Sequence, residues 1–146
     1  MTRVIKSVIL SAEPTKVVDY IASVANHPAF ISALKKVENV KGDTRGTGAT
    51  WDWTFVMGGV EVKGKAERTD FVPGKSFCFR TTTGIKSTFN YRVEPAKGGA
   101  KLTIDVDYEI PQNVIAKVAD KAIVERMNDQ EGDKTAANLK TIFDKE

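Results

Sequence analysis

The chain has 146 residues, about the length of a single domain, and its 41% hydrophobic and 28% charged fractions exclude both an intrinsically disordered polymer and a bundle of membrane spans. One cysteine, Cys78, excludes a disulfide scaffold and fits a reducing cytoplasm, while one histidine, His27, excludes most metal and triad chemistries that need two. The net charge of +3 comes from 22 basic and 19 acidic residues interleaved along the chain, as at Glu61, Lys63, Lys65 and Glu67, so a solvated surface is expected and a nucleic-acid partner is not.

Residues 3–11 place Val4, Val8 and Leu10 among polar neighbours and read as a first strand. The apolar run Val8-Ile9-Leu10 is too short for a signal peptide, and no stretch reaches the roughly 20 apolar residues of a spanning helix. A cytoplasmic protein without integral membrane association is therefore expected. Pro14 suits the first position of a helix, and Val17, Val18, Ile21 and Val24 give that helix one buried face to about Ser23. Asn26 followed by Pro28 signals the capped start of a second short helix containing Phe30, Ile31 and Leu34.

From Lys35 to Ile110 the apolar period becomes two, and turns at 42–48, Gly58-Gly59, Pro73-Gly74, Thr83-Gly84 and 97–99 divide the stretch into six strands. Such short loops join antiparallel neighbours. Trp51, Trp53, Phe55 and Met57 alternate, then Val60, Val62, Gly64 and Ala66, then Phe77 and Phe79, then Phe89, Tyr91 and Val93, then Leu102, Ile104, Val106, Tyr108 and Ile110. One sheet face is aromatic and the other charged. A strand over 60–71 would be about 40 Å long, which demands strong curvature, with Gly64 as the bend.

After Pro111 the period is helical to the end. A helix of that length would run about 45 Å and must cross the open sheet face. Val114, Ile115, Val118, Ala119, Ala122, Ile123 and Met127 define its first apolar face, and Ala136, Leu139 and Phe143 a second one rotated from it. Gly132 lies between them, where a bend or a close backbone contact is expected. The whole chain, 1–146, reads as one α+β domain with seven antiparallel strands, two short helices between the first two, and a long C-terminal helix.

The segments Pro14–Val24, Asn26-His27-Pro28-Ala29-Phe30, Gly48-Ala49-Thr50-Trp51-Asp52-Trp53, Phe71-Val72-Pro73-Gly74-Lys75, Thr88–Glu94, Asp107-Tyr108-Glu109-Ile110-Pro111 and Leu139-Lys140 together resemble the START-like (SRPBCC, polyketide cyclase/dehydrase-like) superfamily over nearly the whole chain. The resemblance implies a helix-grip fold, in which the curved sheet wraps the C-terminal helix. It further implies a cavity lined by Trp53, Phe55, Phe77, Phe79, Phe89, Tyr91, Ile104 and Tyr108 opposite Val118, Ala119 and Ala122. Such a space suits a hydrophobic small molecule, polycyclic, isoprenoid or acyl, with no cofactor and with the protein a monomer or weak homodimer. The alternative on residue pattern alone is that these aromatics simply fill a core.

Arg68 shares the alternation of Val62, Gly64 and Ala66 and is expected to point to the concave side, where it needs a carboxylate such as Asp70 or a ligand oxygen. By resemblance to aromatase/cyclases it would polarise a carbonyl or hold an enolate, with Tyr91 or Tyr108 shuttling a proton. The assisting tyrosine of those relatives is absent from Ser32-Ala33-Leu34-Lys35, which ranks binding above catalysis. The remaining candidates read as structural: Tyr91 and Tyr108 as packed phenols, His27 as a surface or capping residue, Cys78 as an inert thiol, and Asp105, Asp107 and Glu109 as a solvated outer face rather than a metal site. A third possibility is an interaction protein with a filled cavity, using the outer sheet face or the 30–34 helix.

Overall fold

The computed structural model describes residues 2–43, 46–118 and 120–144. Strands β1 (Thr2–Leu10), β2 (Leu34–Lys41), β3 (Thr50–Met57), β4 (Val60–Val72), β5 (Ser76–Thr81), β6 (Ser87–Ala96) and β7 (Gly99–Tyr108) form one antiparallel sheet in the order β1-β7-β6-β5-β4-β3-β2. The chain therefore runs as a meander from β2 to β7, and β1 joins beside β7. Helices α1 (Pro14–Ala22) and α2 (His27–Phe30), linked by a 3-10 turn at Val24–Asn26, carry the chain between the two edge strands. Helices α3 (Gln112–Val118) and α4 (Lys121–Phe143) follow β7.

The expected α+β plan of seven curved antiparallel strands and a long C-terminal helix is the one observed. Alternation explains it: Val62, Ala66 and Arg68 of β4 are buried while Glu61, Lys63 and Lys65 are not. Gly64 sits where Trp53 pairs across from β3, and a Cβ there would overlap the Trp53 ring and the Thr83 carbonyl. The 13-residue β4 changes register between Arg68 and Asp70, a bulge that leaves Asp70 exposed rather than beside Arg68.

Several features differ from the sequence pattern. The second helix stops at Phe30, and Leu34 opens β2 instead. Its turn is pinned from outside, because Glu131 of α4 accepts from Ser32 Oγ at 2.7 Å and from the Ala33 amide at 2.8 Å. Asn26 does not cap it, since its amide donates to Tyr20 O at 3.0 Å. The C-terminal helix is not continuous: Asp120 starts α4 as an N-cap whose carboxylate accepts from the Ala122 amide at 3.0 Å. Ile123 and Met127 are exposed at 46% and 44% rather than buried.

Gly132 gives the close contact rather than the bend. A Cβ there would lie 3.0 Å from Val4 Cγ1 of β1, and α4 continues through it. The same flank is tied down by Lys6 Nζ to Asp129 at 3.1 Å and Asp133 at 2.9 Å, and by Thr2 Oγ1 to Glu125 at 2.6 Å. Asp105 also departs from the expected solvated face. It is 7% exposed, held by a bidentate fork from Arg3 at 3.0 and 2.8 Å with Arg92 at 3.6 Å, and these guanidiniums keep its carboxyl below the usual range. Asp107 is half-buried and Glu109 exposed.

Candidate functional site

Between the concave sheet face and α4 lies a cavity that admits the centres of water-sized spheres over about 130 Å³. A single water needs roughly 10–15 Å³ on that measure, so the space is of small-ligand rather than single-water size. The sheet supplies Trp51, Trp53, Phe55, Phe79, Phe89, Tyr91, Ile104, Val106 and Tyr108, and α4 supplies Asn128, Glu131, Gly132 and Thr135. The helical residues fall at the three- and four-residue spacings of one face. Gly132 both seats α4 on β1 and leaves that face without a side chain to fill the space.

Of the residues expected to line the space, Trp53, Phe55, Phe79, Phe89, Tyr91, Ile104 and Tyr108 do so. Phe77 does not: it is fully buried, stacked on Tyr91 at 4.7 Å between ring centres. Val118 does not line it either. It packs at the β3–β4 turn, where a Cβ at Gly58 would lie 3.0 Å from Val118 Cγ2. Ala122 is exposed, its amide taken by the Asp120 cap, and Ala119 lies outside the described residues. The helical wall thus stands about three turns further along the chain than its apolar pattern indicates. A signal is present in Asp120-Lys121-Ala122, where an aspartate opens a fresh helical run, and in the polar and small residues Asn128, Gly132 and Thr135 on one face.

Strand register gives the cavity two ends. Phe79 pairs with Phe89, which pairs with Val106, forming an apolar row with the two rings stacked at 4.5 Å. The next row is Trp51, Ala66, Thr81, Ser87 and Tyr108, with Trp53 one position beyond Trp51 on the same face. Thr81 and Ser87 satisfy one another at 2.7 Å, and the Thr81 hydroxyl also donates to Ile85 O. Trp53 Nε1, Tyr108 Oη and Asn128 Nδ2 are buried without a hydrogen-bond partner among the described residues. Burial raises the Tyr108 phenol above its usual pKa, and the Glu125 and Asp129 carboxylates act in the same direction. Asn128 and Thr2 approach the phenol closely enough to oppose that shift, but neither reaches hydrogen-bonding geometry with it.

Arg68 points inward as its alternation requires and is 1% exposed, but it lies outside the cavity wall and meets no carboxylate among the described residues. Its Nη2 donates to Ala22 O, the last carbonyl of α1, at 2.8 Å. Its Cζ stands 4.5 Å from the Phe77 ring centre, 5.4 Å from Trp51 and 5.9 Å from Phe79. The negative end of α1 and three ring faces thus take the place of a counter-ion. Nε and Nη1 remain unpartnered among the described residues, and burial pushes the pKa down to about 10, so the group stays charged at neutral pH.

His27 is also placed differently from expectation. It is 2% exposed, lines the cavity, and stacks on Phe79 at 5.7 Å, because the α1–α2 connection folds under the end of α1. Its Nε2 lies 2.9 Å from Ile21 O and therefore carries the proton. Burial, with the Arg68 charge, lowers its pKa to about 3. Tyr91 is 1% exposed and burial drives its phenol well above the usual value. Cys78 is half-buried with its thiol donating to Asn90 Oδ1 at 2.5 Å, and burial raises its pKa. Phe30 is fully buried, so its ring offers no apolar surface to a partner.

A curved antiparallel sheet holding a C-terminal helix over an apolar space defines a helix-grip protein. The chain belongs to the polyketide cyclase/dehydrase and lipid transport family, whose model matches residues 1–144. Among curated proteins the sequence finds no significant match. Solved structures share the fold at low identity. TTHA0849 from Thermus thermophilus superposes with a TM-score of 0.80 at 14% identity, covering 96% of this chain and 95% of that one. The di-domain ARO/CYC StfQ from the steffimycin biosynthetic pathway gives 0.74 at 11% identity, over 97% of this chain and 50% of that protein. The Aha1 dimer from Colwellia psychrerythraea gives 0.66 at 11%, over 98% and 96%. Among the described residues no helix is long and apolar enough to cross a membrane.

Proposed function

We propose that the protein binds a hydrophobic small molecule in the cavity between the sheet and α4. The observation that carries this reading is the apolar volume itself: packed interiors leave few voids larger than a water, and apolar walls that face a gap lose their contacts across it. Family membership supports a ligand-binding or cyclase background without choosing between the two. Binding is favoured by the titration states. The wall groups His27, with a pKa of about 3, and Tyr91 and Tyr108, both raised by burial, are not poised near neutral pH as a general acid or base should be.

An amide NMR titration with flat polycyclic phenols, isoprenoid quinones and fatty acids tests it. Saturable shifts at Trp53, Phe89, Tyr108, Asn128 and Gly132, with the outer face silent, are expected for at least one class. Silence across the panel leaves a collapsed core as the better account and overturns the reading.

One observation favours a second reading. The two unpartnered nitrogens of Arg68 are what an enolate-stabilising group would present, once Trp51 or Phe79 swung aside. On that reading the protein accelerates the intramolecular aldol closure of a poly-β-ketone, and Arg68→Gln retains ligand affinity within about threefold while abolishing the acceleration. Unchanged turnover in Arg68→Gln removes the arginine from any mechanism.

A further inference from the structure

The charged side chains of α4 are used unequally. Each of its carboxylates is engaged inside the molecule: Glu125 accepts from Thr2 Oγ1, Asp129 and Asp133 hold Lys6, and Glu131 accepts from the Ser32 hydroxyl and the Ala33 amide. Asp120, just before it, caps the Ala122 amide. The cations are left over. Lys121, Arg126 and Lys134, with Lys117 of α3, are exposed and meet no carboxylate within ion-pair distance among the described residues, and of the α4 cations Lys140 alone is paired, with Asp144.

Apolar side chains lie exposed among these cations. Ile123 and Met127, 46% and 44% exposed, stand four residues apart on one helical flank, with Arg126 three residues after Ile123 and Lys134 seven after Met127. The flank toward β1 is the one that Gly132 and the Lys6 pairs pack down. Ile5 and Ile9 on the outer face of β1 are equally exposed, but Arg3 beside them is committed to Asp105. A stable protein interface takes roughly 800 Å² from each partner around a packed core. Two half-covered side chains on the shoulder of a helix offer neither a groove nor such an area. A fluid surface requires neither, since apolar insertion and the attraction of cations to anionic headgroups add together without shape matching.

We infer that this flank of α4 docks the protein on an anionic lipid surface, with Ile123 and Met127 entering the headgroup layer and Arg126 and Lys134 beside them on the lipid phosphates. Lys117 and Lys121 add their charge at the α3–α4 junction. Asn128 follows Met127 directly and Glu131 stands one turn on, both in the cavity wall, so the docked flank borders the helical wall of the cavity. The inference goes beyond the binding reading and stands without it.

Co-sedimentation of the full chain with lipid vesicles tests it. Vesicles of phosphatidylglycerol and phosphatidylcholine in equal parts are expected to bind the protein about tenfold more tightly than phosphatidylcholine alone, a preference that shrinks as salt is raised. Ile123→Ser combined with Met127→Ser is expected to weaken binding to the mixed vesicles about tenfold, and Arg126→Gln combined with Lys134→Gln to cut the preference to about threefold or less. Ile5→Ser combined with Ile9→Ser removes an equally exposed pair from another face and is expected to leave binding within about twofold. All six positions are solvent-facing, so unchanged urea midpoints accompany these effects. Absence of vesicle binding overturns the inference, as does equal affinity for the two vesicle types or an equal loss in the two serine variants. Self-association in sedimentation velocity that Ile123→Ser with Met127→Ser abolishes, without vesicle binding, overturns it as well and gives the flank to a second copy of the chain.

Discussion

The concave face of this sheet contains two apolar chambers that share the Phe79 ring, and they handle stranded polar atoms in opposite ways. Under α1, Arg68 is enclosed by Trp51, Phe77 and Phe79 and anchored to Ala22 O, with ring faces where a solvent or counter-ion would otherwise stand. Under α4, Trp53, Tyr108 and Asn128 each carry an equally dry atom, but these side chains stand in the wall of an open volume. The first arrangement is closed by packing, with rings over the guanidinium and two of its nitrogens left unpartnered. The second is incomplete, and the contrast locates where a small molecule is worth most.

The largest expected effect tests whether the first chamber is the tightly packed one. Phe77→Ala removes a fully buried ring that covers the guanidinium and stacks on Tyr91, and should cost about 3–5 kcal/mol by urea denaturation. Phe89→Ala removes a half-buried ring at the cavity, where space already exists, and should cost about half as much. Equal costs would erase the distinction between the chambers.

His27 stands at their boundary, and its titration sharpens the comparison. Its pKa is about 3 in the folded protein and about 6.5 when unfolded. Between those values the unfolded chain binds the extra proton, so this residue's stability contribution is complete above about pH 6.5 and is lost as pH falls toward 3. At about pH 5 the loss amounts to about 2 kcal/mol relative to about pH 7. His27→Gln, whose amide can still donate to Ile21 O, should lose about that much less stability between those two pH values, read from urea midpoints at each. Parallel pH profiles for the two proteins would mean that water reaches the imidazole and the boundary is open.

The sheet chamber is legible in the sequence and the helical wall is not, for a physical reason. A strand's period of two fixes which face each side chain takes, so Arg68, Tyr91 and Tyr108 follow from parity alone. That parity fails only where a bulge intervenes, as between Arg68 and Asp70, which removes the carboxylate partner expected for Arg68. A helix carries no such digital signal. Rotation and translation of α4 are set by Asp120 at its start and by Gly132 against Val4, so an uninterrupted helix from Gln112 places Ala122 where Asn128 and Glu131 in fact stand. The burial of His27 depends on Trp51 and Phe79 and that of Asp105 on Arg3, partners far away in the chain and beyond the reach of local pattern.

The smallest effect is the most discriminating, because its sign opposes the usual outcome of a core substitution. Tyr108 is 4% exposed and its hydroxyl lacks a partner among the described residues, so Tyr108→Phe removes a desolvation penalty while keeping the ring and its packing. The ligand-free protein should gain about 0.5–1 kcal/mol, a rise of about 2–4 °C in Tm per kcal/mol for a chain of this size. Most substitutions at so buried a position destabilise. A gain would mark the hydroxyl as held in place against stability, as expected of an atom kept for a ligand. A loss of similar size would show that the hydroxyl already has a partner, and the contrast between a closed chamber and an incomplete one would fail at its most specific residue.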